Sequence, residues 1–408
     1  MPDISHRGAV AYDSPIRSLV PYADAAEARG TKVCYLNIGQ PDIPTPVNAT
    51  EALRRAEISV LKYAPALGNL SYREKLTDYY RRFDISLSAE DIMVTTGASE
   101  AVFLAMLSCL DEGDEVIIPE PFYAIYNGFS NISKVKIVPL TCRIEDGFKL
   151  PQVADFEKVI TPRTKAIFIC NPNNPTGCLY SEIALKELAA VVKRHNLFLL
   201  ADEVYREFCY DGQTFFSALN LPGLEENAVV IDSISKRFSA CGARIGALVT
   251  RNKTVLAAAV KFARYRLSPP GLGQILAEAT IDTPSRYMEE VCAEYDLRRR
   301  TLYNRLAKMP GVVSYRPGGA FYNFVRLPID DADVFCKWLL TDFSHDGATV
   351  MLSPGTGFYA TPGLGKQEVR IAYVLNVNDL ERAMDVLEAA LAVYPGRTDT
   401  VRASAFIS

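Results

Sequence analysis

The sequence predicts an α/β fold, in which a mostly parallel central sheet flanked by helices is joined to a smaller α+β part. Three observations predict it. From Asp91 to Val249 short apolar runs alternate with helix-patterned segments, the rhythm of a parallel sheet with crossover helices. Chemically able side chains stand just past the carboxyl ends of those runs, where open α/β sheets bind ligands. Near residue 285 the alternation gives way to long helices and scattered short strands. A chain of 408 residues with mean hydropathy near zero can bury a substantial core in more than one domain. The expected division is 1–45 as an N-terminal arm with part of the small domain, 46–285 as the large domain, 286–395 as the small domain and 396–408 as a loose tail.

The first 35 residues read as an arm leading into Leu36–Asp42, where an apolar stretch breaks on Gly39 and Pro41. An amphipathic segment from Pro46 to Val60 follows, then Tyr63-Ala64-Pro65-Ala66-Leu67-Gly68, then a polar helical pattern from Tyr72 to Phe83. Asp91–Glu100 reads as strand, glycine turn and helix start, so free N–H groups at Ala98 and Ser99 are available to an anion. Val116–Ile118, Val135–Leu140, Ala166–Cys170 and Leu197–Leu200 are strands, with a helix over Ser181–His195. Ala228–Ile231 and Ile245–Val249 are two more, and between them lies Ser233-Ile234-Ser235-Lys236, with Arg244 beyond it. Helices then cover Lys253–Arg266, Gly271–Ile281 and Pro284–Lys308. Val312–Leu327 is strand-rich, Asp331–Phe343 helical, Ala348–Leu352 and Glu368–Val374 strands, and Asp379–Tyr394 a closing helix.

Composition removes several function classes. A formal net charge of −4 gives no footprint for nucleic acid or an anionic membrane. Nine cysteines without a CxxC pair fit a reduced, cytoplasmic setting. No run approaches the roughly 20 apolar residues of a membrane span, and the first residues lack a signal peptide's apolar core. His6, His195 and His345 are the only histidines and show no metal-ligand spacing, so neither zinc nor a Ser-His-Asp arrangement is supported.

Suppose a planar pyridine aldehyde carrying a phosphate occupied the strand ends. Lys236 would form its imine and, when free, move a proton between carbons. Asp202 would keep the pyridine nitrogen protonated, and Asn174 and Tyr205 would bond the ring hydroxyl. Tyr123 and Phe122 compete to stack on the ring. Ala98, Ser99, Ser233 and Arg244 would take the phosphate, and Arg370 a substrate carboxylate. Each residue alone has an ordinary structural role, as cap, turn former or surface charge; seven roles filled together define a site.

The segments Asn171-Pro172-Asn173-Asn174-Pro175-Thr176-Gly177, Ala201-Asp202-Glu203-Val204-Tyr205 and Ser233-Ile234-Ser235-Lys236, with Arg244 eight positions on, resemble the class I/II aminotransferases. These are pyridoxal-phosphate enzymes of fold type I that include the aspartate aminotransferases, and the resemblance runs from about Leu36 to about Tyr394. It implies a homodimer with both active sites at the subunit interface, and pyridoxal 5'-phosphate bonded to Lys236. Asp202 then faces the ring nitrogen, Tyr205 and Asn174 the ring hydroxyl, and Tyr123 rather than Phe122 the ring face. Ala98, Ser99, Ser233 and Arg244 hold the phosphate, Tyr63 reaches the neighbouring subunit's phosphate, and Gly39, Asn174 and Arg370 hold the substrate's α-carboxylate. The implied reaction is ping-pong transfer of an amino group from an L-amino acid, aspartate first, to a 2-oxo acid such as 2-oxoglutarate. Some aspartate-using relatives carry a lysine where Ser99 stands, so strict dicarboxylate specificity needs another cation; Arg264, Arg266 and Arg298 are candidates by sequence. The rival readings are a β-lyase on the same cofactor and a ligand-sensing protein on a retired enzyme fold.

Overall fold

The computed structural model describes residues 2–9, 11, 14 and 16–398, apart from the side chains of His6 and Arg7. Twelve strands occur among them: β1 (Lys32–Tyr35), β2 (Ile92–Thr95), β3 (Glu115–Glu120), β4 (Lys136–Thr141), β5 (Thr164–Cys170), β6 (Phe198–Asp202), β7 (Ala228–Ser233), β8 (Gly246–Val249), β9 (Tyr322–Arg326), β10 (Ala348–Met351), β11 (Ser353–Pro354) and β12 (Glu368–Ala372). Seven build the central sheet in the order β2-β8-β7-β6-β5-β3-β4. The neighbours from β7 through β4 pair in parallel, whereas β8 runs antiparallel to both β2 and β7. That single reversal brings the start of β8 to the edge where β2 and β7 end, with Gly246 opposite Thr95 and Ser233.

Local chemistry explains the elements. The middle strands carry Val, Ile, Leu and Phe on both faces because helices cover both, so nearly all their residues are buried. The helix Glu182–His195 starts where Ser181 Oγ accepts the Ala184 N–H at 3.2 Å and stops at Asn196 in the left-handed conformation. Lys193, Arg194 and His195 fill its last turn, where positive charge suits the carbonyl end.

The expected arm, with its part of the small domain, contains regular elements. Val20–Ala28 is helical, with Ala23 and Ala26 buried, and β1 pairs in parallel with β10. A four-residue strand whose partner lies more than 300 residues away leaves little periodic signal in sequence. Two short helices, Ile125–Ser133 and Val153–Val159, were equally silent. In the expected strand-rich stretch only Tyr322–Arg326 is a strand, with Val313 bridging to Arg326. Of the expected loose tail, Gly396–Thr398 is tied down: Gly396 O accepts from Asp330 N at 2.9 Å and Thr398 N donates to Pro328 O at 3.0 Å. Residues 399–408 lie outside the described residues. No helix among the described residues is long and apolar enough to cross a membrane, and none of their His, Cys, Asp and Glu side chains cluster to hold a metal.

Candidate active site

The carboxyl ends of β2, β3, β5, β6 and β7 and the start of β8 open into one cavity of about 770 Å³. Its wall includes Ala98, Ser99, Tyr123, Asn174, Asp202, Tyr205, Ser233, Lys236, Arg244, Gly39 and Arg370, eleven of the twelve site residues expected from sequence. Tyr63 is the twelfth; it is 80% exposed and outside that wall.

Lys236 sits in a single helical turn, Ile234–Arg237, begun by Ser233, whose hydroxyl accepts the Ser235 N–H at 3.1 Å. Its Nζ donates to Gly39 O at 2.7 Å. Burial pulls this amine below the usual lysine range, and the nearby Arg370 and Arg244 add to the effect, against Cys241 and Asp202. Gly39 has to be glycine because a Cβ there would lie 1.8 Å from the Tyr322 hydroxyl.

Asp202 ends β6 and accepts from Tyr126 Oη at 2.7 Å and Val204 N at 3.3 Å. Burial raises its carboxyl to about 6, only partly opposed by those hydrogen bonds. Among the described residues it has no ion-pair partner. Arg370, on β12, is its counterpart: a buried guanidinium with no carboxylate within ion-pair distance among the described residues. Nη1 donates to Asn174 Oδ1 at 2.9 Å, Nη2 donates to Asn37 O, and Nε finds no acceptor. A buried charge without an opposite charge is costly, and both groups face the same cavity.

The loop after β5 shows how the sequence frees one asparagine. Asn171 Oδ1 accepts from Tyr180 N, and Asn173 Oδ1 accepts from Thr176 N and Oγ1, so both are spent on the turn. Asn174 keeps its amide for the cavity, with Nδ2 3.4 Å from Tyr205 Oη. Tyr205 Oη in turn lies 2.9 Å from Tyr322 Oη. Of the two competing aromatics, Tyr123 lines the cavity, whereas Phe122 is buried and its N–H donates to Phe358 O.

Arg244, itself left-handed at φ 55°, holds its guanidinium against the start of the helix Gly97–Cys109. Its Nη2 would be 2.2 Å from a Cβ at Gly97, which has φ +74°. The result is a pocket of helix N–H groups beside a guanidinium, with the Ser233 and Ser235 hydroxyls 2.8 Å apart in the same wall.

Sequence reasoning missed Tyr126, Tyr322, Ser235, Cys241 and Arg17, all in the cavity wall. Tyr126 follows Tyr123 at helical spacing and reads as core. Arg17 belonged to the presumed arm. The three arginines proposed to read a distal carboxylate do not line the cavity. Arg266 pairs with Glu100 at 2.7 Å, Arg298 pairs with Asp42 and Glu294, and Arg264 lies exposed in a short turn.

An α/β sheet that holds a low-basicity lysine, an uncompensated acid and an uncompensated guanidinium around one cavity belongs to the class of enzymes that work on a small anionic ligand. The comparisons narrow this class. The family profile for aminotransferase class I and II matches residues 31–387. An aspartate aminotransferase of Pyrococcus horikoshii is 32% identical over 93% of this chain and 94% of its own. Aromatic-amino-acid aminotransferase 2 of Thermococcus litoralis is also 32% identical, over 95% and 98%. The solved aspartate aminotransferase of Thermus thermophilus with maleate superposes with a TM-score of 0.87 at 28% identity, covering 96% of this chain and all of the other. The chain belongs to the class I and II aminotransferases, with their fold type I architecture, and it is an aminotransferase. Members of this family use pyridoxal phosphate.

Proposed function

We propose that this chain is a cytoplasmic homodimer that uses pyridoxal 5'-phosphate to move an amino group from an L-amino acid, aspartate first, to a 2-oxo acid such as 2-oxoglutarate. The observation that carries the reading is that the Lys236 amine and the Asp202 carboxylate line one cavity, and neither has an ion-pair partner among the described residues.

The residues fit the group. Asp202 lacks a cation, which a protonated ring nitrogen supplies, and the cradle of Gly97, Ala98, Ser99, Ser233 and Arg244 lacks an anion, which a phosphate supplies. Asn174 and Tyr205 meet the ring hydroxyl, Tyr123 the ring face, and Tyr63 the phosphate of the other subunit. Bound there, the group supplies an aldehyde and an electron-withdrawing ring that acidifies the Cα–H of an attached amino acid.

The chain's own groups do the rest. Lys236 Nζ takes the proton from the donor's Cα; burial and two neighbouring arginines leave more of it as free amine than an exposed lysine would have. Arg370 fixes the donor's α-carboxylate, with Asn174 holding one side of the guanidinium and Gly39 closing the wall. Tyr126 and the Val204 N–H hold Asp202 in place. The large and small domains are assigned to 46–285 and 286–395, with the cavity between them. Nine free cysteines support the reduced compartment.

The test is a screen of the cofactor-loaded protein against each common L-amino acid, with the cofactor's absorbance and oxo-acid release followed together. Expected is oxo acid without ammonia, and restoration of the starting spectrum by 2-oxoglutarate. Absence of oxo acid from every donor overturns the reading, and pyruvate with ammonia from cysteine overturns it in favour of a lyase.

A further inference from the structure

The cavity wall carries three arginines, and two have work in the proposed function. Arg370 is committed to Asn174 and the Asn37 carbonyl, awaiting one carboxylate. Arg244 lies against Gly97 at a helix start, awaiting a phosphate. The third, Arg17, comes from the N-terminal turn and is exposed, and its side chain has no ion pair or hydrogen bond among the described residues.

Its backbone is nevertheless fixed. Arg17 N donates to Ser14 O at 3.0 Å and Arg17 O accepts from Val20 N at 3.0 Å. The carbonyl of its neighbour Ile16 accepts from Asn37 Nδ2 at 3.0 Å, and Asn37's own carbonyl accepts from Arg370. One residue thus ties the turn bearing Arg17 to the guanidinium that awaits the α-carboxylate. Arg17, Arg370 and Tyr123 all line the same cavity. A substrate with one carboxylate would satisfy Arg370 and cover Arg17 without neutralising it. A second carboxylate would form a charge-assisted fork with it.

We propose that Arg17 reads the substrate's side chain by pairing with the distal carboxylate of a dicarboxylic amino or oxo acid. The inference rests on the aminotransferase reading above and adds the residue that reads the substrate's side chain. It also accounts for the neutral Ser99 at the helix start: the cation comes from another element. The cost of losing one hydrogen bond to a charged group sets the expected discrimination at about 10- to 100-fold.

The experiment compares the cofactor-loaded chain with Arg17→Gln and Arg17→Lys. Calorimetry measures binding of succinate against propionate, and kinetics measure the ratio of kcat/KM for aspartate over alanine. In the unmodified chain succinate binds more tightly than propionate; in Arg17→Gln that advantage and the aspartate/alanine ratio both fall about 10- to 100-fold, and Arg17→Lys recovers part of each. An undiminished succinate advantage in Arg17→Gln overturns the inference. So does an unmodified chain that transaminates without favouring dicarboxylates, an outcome that leaves the aminotransferase reading standing. If no donor is transaminated, the function proposed above falls, and the succinate–propionate comparison still decides whether Arg17 reads a second carboxylate.

Discussion

Asp202 pairs an acidic group with an environment that resists its charge. Its carboxyl is raised from 3.8 to about 6 by burial, and that of the neighbouring Glu203 to about 7 by the same cause. A carboxyl with a raised native value favours folding while protonated, below the unfolded value near 4. That contribution is lost as pH rises through 6. The cofactor-free protein should therefore lose roughly 2–3 kcal/mol from Asp202 alone between pH 4 and pH 7. Asp202→Asn removes this share, and denaturant titrations of both cofactor-free proteins should show a flatter pH profile in the variant. An identical slope in the two would contradict the burial argument. Asp202 and Lys236 were legible in the sequence because each ends or follows an apolar run and has a typical neighbourhood. Tyr126 and Tyr322 were not, since their bonds to Asp202 and Tyr205 span 76 and 117 residues and exist only after the fold forms.

At the scale of elements, the parallel strands were readable because full burial writes them as continuous apolar runs. The turns between them were readable in composition but not in purpose. Gly97 stands at φ +74° with Arg244 close to where its side chain would be. Gly97→Ala should strain the backbone and push the guanidinium from the helix start, lowering affinity for pyridoxal phosphate roughly tenfold while changing affinity for unphosphorylated pyridoxal less. Gly113 gives the control: at φ +88° with nothing within 4 Å, Gly113→Ala carries the backbone strain alone. Isothermal titration of both variants separates the two effects. Equal losses in both would mean that the cradle owes nothing to Arg244.

For the whole molecule, large apolar side chains stand exposed around the expected Tyr63 contact. Leu61 is 60% exposed, Tyr63 80%, Tyr265 85% and Leu267 54%, and a Cβ on Gly271 would lie 3.5 Å from Leu61 Cδ1, which brings two distant segments into one patch. Such a patch is what a second copy of the chain would cover. The proposed homodimer makes a sharp prediction about where Tyr63 works. Tyr63→Ala should weaken cofactor affinity by about tenfold, the loss of one hydrogen bond to a charged phosphate, and Lys236→Ala should abolish turnover. If Tyr63 serves the partner's site, a mixed dimer of these two variants contains one site with both residues intact, built from the Lys236 of one subunit and the Tyr63 of the other. Unfolding and refolding the variants together, at cofactor concentrations limiting for Tyr63→Ala, should restore activity above that of either parent. Sedimentation should show a dimer independently, and Leu61→Asp should shift it toward monomer. A stable dimer that shows no rescue would place Tyr63 outside the partner's site, because complementation requires that the residue cross the interface.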